Sequence, residues 1–295
     1  MTRKSFIQLL GCVPFLQHMT TLSALSNLQD NLPLSPKMPV LFLGHGSPMN
    51  AIEENEFVRG FRDIAKKLPK PKAIVCISAH WFTQGTKVTA MHLPKTIHDF
   101  GGFPEALYQV QYPAKGDPGL AKTTKHLLAP TQVALDETWG LDHGAWSVLK
   151  HLYPKADVPV IQLSIDYTKA PEAHFELAQQ LKQLRNRGIL LVGSGNLIHN
   201  LGLVDFQNIN RVDYGYDWAI EANELIHNKI KSGDVKELVN YAKLGKAMQL
   251  AVPTPEHYLP MVYTLGLMDK NEPISLFNDK LLAGSLSMTS LRIGA

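Results

Sequence analysis

Residues 38–50, MPVLFLGHGSPMN, decide how the chain is read. Residues 39–43 are a short apolar run rich in strand formers, closed by glycine. A brief apolar run ended by Gly is the pattern of a strand buried in a parallel sheet. Gly44-His45-Gly46-Ser47-Pro48 follows. A histidine between two glycines is badly placed for packing. It suits chemistry, because open α/β sheets put their sites outside the carboxyl ends of their strands. The design recurs at residues 73–78, AIVCIS, which run into Ala79-His80-Trp81. Two strands that each deliver a histidine at their end predict a metal held at one edge of a sheet.

Composition supports that frame. The chain has 295 residues, 45% of them hydrophobic, ample for a large core in one big α/β domain or two small ones. Its net charge of +3 and the lack of a dense basic run argue against nucleic-acid binding. Cys12 and Cys76 make neither a disulfide framework nor a thiolate zinc cluster. Cys76, inside an apolar strand, reads as a small core residue.

Residues 1–37 read as an extension. Thr2-Arg3-Lys4-Ser5-Phe6-Ile7 precedes an apolar stretch broken by Gln8, Pro14, Gln17 and His18. A basic start before apolar residues is a secretory pattern, and this order is twin-arginine-like with Lys in place of the second Arg. Two expectations stand: a loosely ordered extension on a cytoplasmic protein, the default, or an export signal. No stretch approaches the roughly 20 apolar residues that span a bilayer.

Residues 38–295 alternate strands and helices. Helices are expected at 53–68, 117–128, from Asp142 to Leu152, at 170–187, within 213–244 and at 253–267. A central strand is expected at 158–165, a buried one at 189–192, and closing strands at 274–277 and 285–292. This alternation predicts a single α/β domain with a mostly parallel central sheet flanked by helices, and a metal site at the strand C-terminal ends.

Histidine carries the functional signal. His45, His80, His143, His199 and His257 each lie at a strand end or a helix start. Neutral imidazole is a common ligand of divalent metals. No pair has HExxH spacing, so the site must assemble from distant segments. His92, His126, His151, His174 and His227 lack this context and read as surface or packed residues. Asp99, Phe100 and Phe103, with His98, sit in TIHDFGGFP (96–104). That glycine-flanked aromatic loop is either a wall for a flat ring or an ordinary turn. Trp81 and Trp146 read as pocket lining or core packing. Ser47 and Ser194 are not in G-x-S-x-G, so a hydrolase nucleophile is disfavoured.

At these motifs the chain resembles the LigB-type extradiol ring-cleavage dioxygenases, and within them the 4,5-DOPA dioxygenase branch. The matching pieces are LFLGHGSPMN (41–50), ISAHW (77–81), IHDFGGFP (97–104), DHGAW (142–146), IQLSI (161–165), SGNLIHNL (194–201) and TPEHYLP (254–260), in family order. The resemblance implies metal ligands at His45, His80 and His257. It implies a fourth ligand or an acid–base residue at His199, and a substrate-pocket, acid–base role for His143. The wider class uses two histidines and one carboxylate, and here the last motif offers both Glu256 and His257. The implied activity inserts O2 into a catechol such as L-DOPA to give a muconic semialdehyde. The implied cofactor is one divalent metal. Fe(II) is expected for turnover because Zn(II) has no accessible redox change, with Zn(II) a possible occupant. The alternative reading is a zinc hydrolase using the same histidines to activate water. Partners are then a small catechol and O2; the sequence does not set an oligomeric state.

Overall fold

Six strands organise the computed structural model, which describes residues 33–209 and 211–294. They are β1 (Val40–Gly44), β2 (Ala73–Ser78), β3 (Val160–Gln162), β4 (Ile189–Gly195), β5 (Ile274–Phe277) and β6 (Ser290–Ile293), in the sheet order β3-β2-β4-β1-β6-β5. The first four run parallel. β6 is antiparallel to β1, and β5 to β6. In this register Gly44 pairs with Gly195, and Ser78 pairs with Ser194. The carboxyl ends of β1, β4 and β2 therefore lie level.

Every residue of β1, β2 and β4 is buried. Side chains alternate between the two sides of a strand, so each strand feeds two cores. Leu41, Leu43, Ile74, Cys76, Leu190 and Val192 face one core. It is closed by Phe57 and Phe61 of α1 (Glu56–Ala65) and by Trp146 and Leu149 of α3 (His143–Leu152). Between them in sequence lies α2 (Pro118–Leu127), capped by Asp117. Val40, Phe42, Val75, Ile77 and Leu191 face the other core. It is closed by Leu177 of α4 (Pro171–Gln180), Ile226 of α5 (Asp217–Ser232) and Met261 of α6 (Leu259–Gly266). This is the expected α/β domain with helices on both faces.

Four expectations change in detail. The strand expected at the centre, 158–165, lies at the sheet edge and breaks in two: β3 pairs with β2, while Ile165–Asp166 pairs with Phe82–Thr83. Its apolar character comes from being covered. Gln162 N–H bonds Thr89 Oγ1, and Ser164 N–H bonds the Lys87 carbonyl. The helix expected over 170–187 tightens after Gln180 into 3-10 turns, Lys182–Arg187, ending at Gly188 with φ of 80°. Those turns carry Leu184 and Arg185 into the interior. The helix expected from 253 starts at Leu259, because the preceding turn carries His257. The last strand, expected at 285–292, is split into Leu286–Ser287 and β6.

Residues 33–37 lie against the domain. Ser35 N–H bonds the Asn186 carbonyl, and Lys37 pairs with Asp269 and Glu272. The stretch read as a possible export signal, and Cys12, fall outside the described residues. Among the described residues, no helix is long and apolar enough to cross a membrane.

One packed histidine carries a stability prediction. His174 lies beneath the sheet with Nδ1 2.9 Å from the Tyr263 hydroxyl, and burial lowers its pKa to about 4. Below pH 6.5 the unfolded chain takes this proton and the folded chain does not. The protein therefore loses stability on acidification toward pH 4, by roughly 3 kcal/mol from this group. Urea unfolding between pH 7 and pH 4 should show a shallower slope in His174→Leu than in wild type. Equal slopes would remove His174 from the account.

Candidate metal centre and active site

The site grows from the level strand ends. His45 N–H bonds the Gly195 carbonyl and Ala79 N–H bonds the Ser194 carbonyl, each at 3.0 Å, so the parallel pairing continues just past the strands. Asn196 N–H takes the His257 carbonyl at 2.9 Å, which lays the turn before α6 across β4. A Cβ on Gly195 would sit 2.1 Å from that carbonyl oxygen. A Cβ on Gly144 would sit 2.4 Å from Ser78 Oγ and 2.8 Å from the His80 ring. The absent side chains at these two positions let the His257 turn and the start of α3 close on the strands.

Three imidazoles meet there. His45 Nε2 and His80 Nε2 are 3.2 Å apart. Ring centroids lie 5.0 Å apart for His45–His80, 5.3 Å for His45–His257 and 5.1 Å for His80–His257. One nitrogen from each of the three lies within 4.8 Å of the others. The opposite nitrogen of each ring faces an oxygen. His45 Nδ1 is 3.0 Å from Ser194 Oγ, His257 Nδ1 is 3.2 Å from Glu256 Oε1, and His80 Nδ1 is 3.5 Å from Asp99 Oδ2. For His45 and His257 these oxygens draw the single proton of a neutral imidazole to Nδ1 and leave Nε2 bare. Burial lowers the pKa of all three rings, well below the ordinary range for His45 and His80.

His45 Nε2 and His80 Nε2, 3.2 Å apart, are placed so that a cation between them would be shared by both. That spacing suits neighbouring ligands of one ion with bonds of roughly 2.1 Å. The donor set therefore fits a divalent metal bound by neutral imidazole. Glu256 contacts the far side of His257 and receives a hydrogen bond from Thr254 Oγ1 at 2.7 Å. Burial opposes its ionisation, but the hydrogen bonds from His257 and Thr254 hold its pKa at about 2.

His199 lies beside this trio. Its ring stacks on His257, with centroids 3.5 Å apart and planes at 10°. One ring nitrogen of His199 also lies within 4.8 Å of a nitrogen of His257 and an oxygen of Glu256, so these three form a second group able to hold an ion. Burial first, then the neighbouring His257, pushes the His199 pKa down to about 3.

His143 is the first residue of α3, and its ring centroid lies 3.8 Å from that of His80. Asp99 grips it twice: Oδ1 accepts the His143 N–H at 2.8 Å and Oδ2 lies 3.0 Å from Nδ1. Burial would raise the Asp99 pKa, but the bonds and charge of His143 outweigh it and lower it. Both Asp99 oxygens thus face histidines. Phe100 continues outward, 5.5 Å from His143, 5.3 Å from Phe103 and 5.2 Å from Tyr108 between centroids. These half-buried rings make an aromatic wall. The loop is anchored by Trp146 Nε1–H to the Ile97 carbonyl at 2.7 Å and by His98 Nε2 at 3.0 Å from the Val110 carbonyl. Trp146 is fully buried, and Trp81, also buried, stacks on Trp139, which is the packing reading of both.

Sequence reasoning missed the supports. Asp142 caps α3 and is wholly buried. Its carboxylate accepts from Ser78 Oγ at 2.6 Å, Gln162 Nε2 at 2.7 Å and Trp139 Nε1 at 3.3 Å. Burial, then Asp99, raises its pKa. The available signals were Gln162, a polar residue inside an apolar strand, and an aspartate at a helix start. His151, read as a surface or packed residue, bonds the Asn50 carbonyl at 2.7 Å, and Asn50 Nδ2 bonds the His45 carbonyl at 3.0 Å.

Residues 37–286 match the family described as the catalytic LigB subunit of aromatic ring-opening dioxygenase. The chain belongs to the LigB family. Its LigB relatives include the 4,5-DOPA dioxygenase extradiol of Escherichia coli (strain K12), 50% identical over 271 residues, covering 90% of this chain and 98% of the relative. The protein of the same name from Beta vulgaris is 35% identical over 259 residues, covering 85% of this chain and 94% of that one. A solved structure of an uncharacterized protein from Escherichia coli K12 superposes with a TM-score of 0.74 at 44% identity, covering 88% of this chain and all of that one. This LigB chain is an extradiol ring-cleaving dioxygenase, and the family's enzymes use a metal.

Proposed function

We propose that the protein opens catechols of the L-DOPA type by 4,5-extradiol cleavage, giving a muconic semialdehyde. The observation that carries this reading is the convergence of three neutral imidazoles, each with its Nδ1 facing an oxygen, beside two further histidines and an aromatic wall. His45, His80 and His257 hold one divalent metal. Fe(II) serves turnover, because O2 chemistry needs a redox-active ion, and Zn(II) is a competing occupant. When bound, the metal supplies Lewis acidity for the diol and a path for its electrons to O2.

The chain's own groups do the remaining work. A catechol must lose a proton to bind as a good electron donor, and a neutral imidazole within reach takes it. His143 fills this role with Nδ1 against Asp99 and Nε2 left to accept. His199, stacked on His257 and within ligand reach of its nitrogen, is the second acid–base group or a fourth ligand. Phe100 and Phe103 flank the ring of the substrate. Asp99 serves the substrate indirectly, by holding His143.

The test is anaerobic reconstitution of the full chain with Fe(II), followed by air and a panel of catechols. The expected result is O2 uptake equal to L-DOPA consumed, with a yellow product. Ester or amide cleavage by the zinc-loaded protein, with no uptake on any catechol, would replace this reading with the hydrolase.

A further inference from the structure

We infer that Ser194 is a positioning residue that sets the tautomer of His45 and so keeps its Nε2 open toward the metal. This rests on the reading of His45 as a ligand.

The argument is a count of protons. Ser194 is fully buried in β4, level with Leu43 of β1 and Ser78 of β2. Its hydroxyl reaches two groups: the Gly144 carbonyl at 2.5 Å and His45 Nδ1 at 3.0 Å. A hydroxyl has one proton, and a carbonyl oxygen can only accept. The proton therefore goes to Gly144, and a lone pair of Oγ faces His45. Nδ1 must then be the donor, or two lone pairs would oppose each other in a buried place. A neutral imidazole carries one N–H, so Nε2 is bare. Glu256 does this for His257 without help, since a carboxylate only accepts. Serine accepts or donates with equal ease, and here the Gly144 carbonyl makes the choice.

That carbonyl belongs to the residue after His143, and the Ser194 backbone carbonyl takes the N–H of Ala79, just before His80. Ser194 thus touches the segments that carry His45, His80 and His143. Neither a G-x-S-x-G elbow nor a free hydroxyl is involved, and the serine has no nucleophilic part.

The experiment uses the full chain with Zn(II) alone as probe. In metal-free, 15N-labelled wild type at pH 8, long-range proton–nitrogen correlations should show His45 in the Nδ1–H form. Ser194→Ala should lose that preference and bind Zn(II) about 10–100-fold more weakly in chelator competition, the usual cost of removing a group that orients a ligand. Ser194→Thr, which keeps the hydroxyl, should recover most of the affinity. Wild-type His45 in the Nε2–H form would overturn the inference whether or not the alanine variant folds. So would a folded alanine variant that binds Zn(II) within twofold of wild type. If wild type binds neither Zn(II) nor Fe(II), the ligand reading itself has failed.

Discussion

His80→Ala should lose its metal and about 10^3-fold or more in kcat/KM, at least ~4 kcal/mol of transition-state stabilisation. His80 stands at the end of β2 with Nε2 3.2 Å from His45 Nε2. Alanine leaves two imidazoles where three converged, and two neutral ligands hold a divalent ion poorly. His199→Gln should behave differently. Its ring lies flat against His257, and its ligand atom groups with His257 and Glu256 rather than with His45 and His80. Its loss should cost ~10^2–10^4-fold in turnover, the range for a general acid–base group, with the metal retained. Equilibrium dialysis against Fe(II), with metal content and O2 uptake measured on the same samples, separates the two. A fully metallated His80→Ala protein would disprove the ligand assignment. Parallel loss of metal in His199→Gln would make His199 a ligand.

The largest stability effect is expected at the other end of the sheet. Arg185→Met should destabilise the fold by ~3–5 kcal/mol, the range for breaking a buried ion pair by removing one partner. Arg185 is 1% exposed. Its Nε bonds the Met38 carbonyl at 2.8 Å, and Nη1 bonds the Leu267 carbonyl at 2.9 Å. Its two terminal nitrogens grip Glu272 at 2.6 Å each. The guanidinium thus joins the chain entering β1, the end of α6 and the approach to β5. Methionine fills much of the volume but leaves two carbonyls and a carboxylate without their donor. Urea unfolding of the metal-loaded protein measures the loss. Arg185→Met with Glu272→Leu should recover a good part of it, because no charge is then left unpaired. A loss below ~1 kcal/mol in the single variant would show that water or Lys37 replaces the guanidinium. Metal affinity should be unchanged, since Met38 precedes β1 and the histidines follow it.

The strands were legible because each is a short apolar run stopped by glycine or a polar turn, and burial on both faces allows little else at those positions. The helix starts at Asp117 and Asp142 were legible for a local reason as well, whereas the helix expected from 53 begins at Glu56, behind Asn55. Each side chain accepts a backbone N–H of its own first turn. Residues 158–165 misled because coverage by neighbouring strands makes an edge strand as apolar as a central one. Arg185 gave no local warning, since its three partners come from residues 38, 267 and 272.

By itself the sequence determined the α/β alternation and the family, together with a short list of histidines at strand and helix ends. Those properties depend on neighbours along the chain: side-chain period, glycine stops, capping residues and ordered motifs. Only the tertiary structure decided which histidines converge, that His199 lies stacked on His257, and which oxygen each Nδ1 faces. Those depend on strand register and on contacts between residues as far apart as His45 and Ser194, and spacing along a chain carries no record of the angle between two rings.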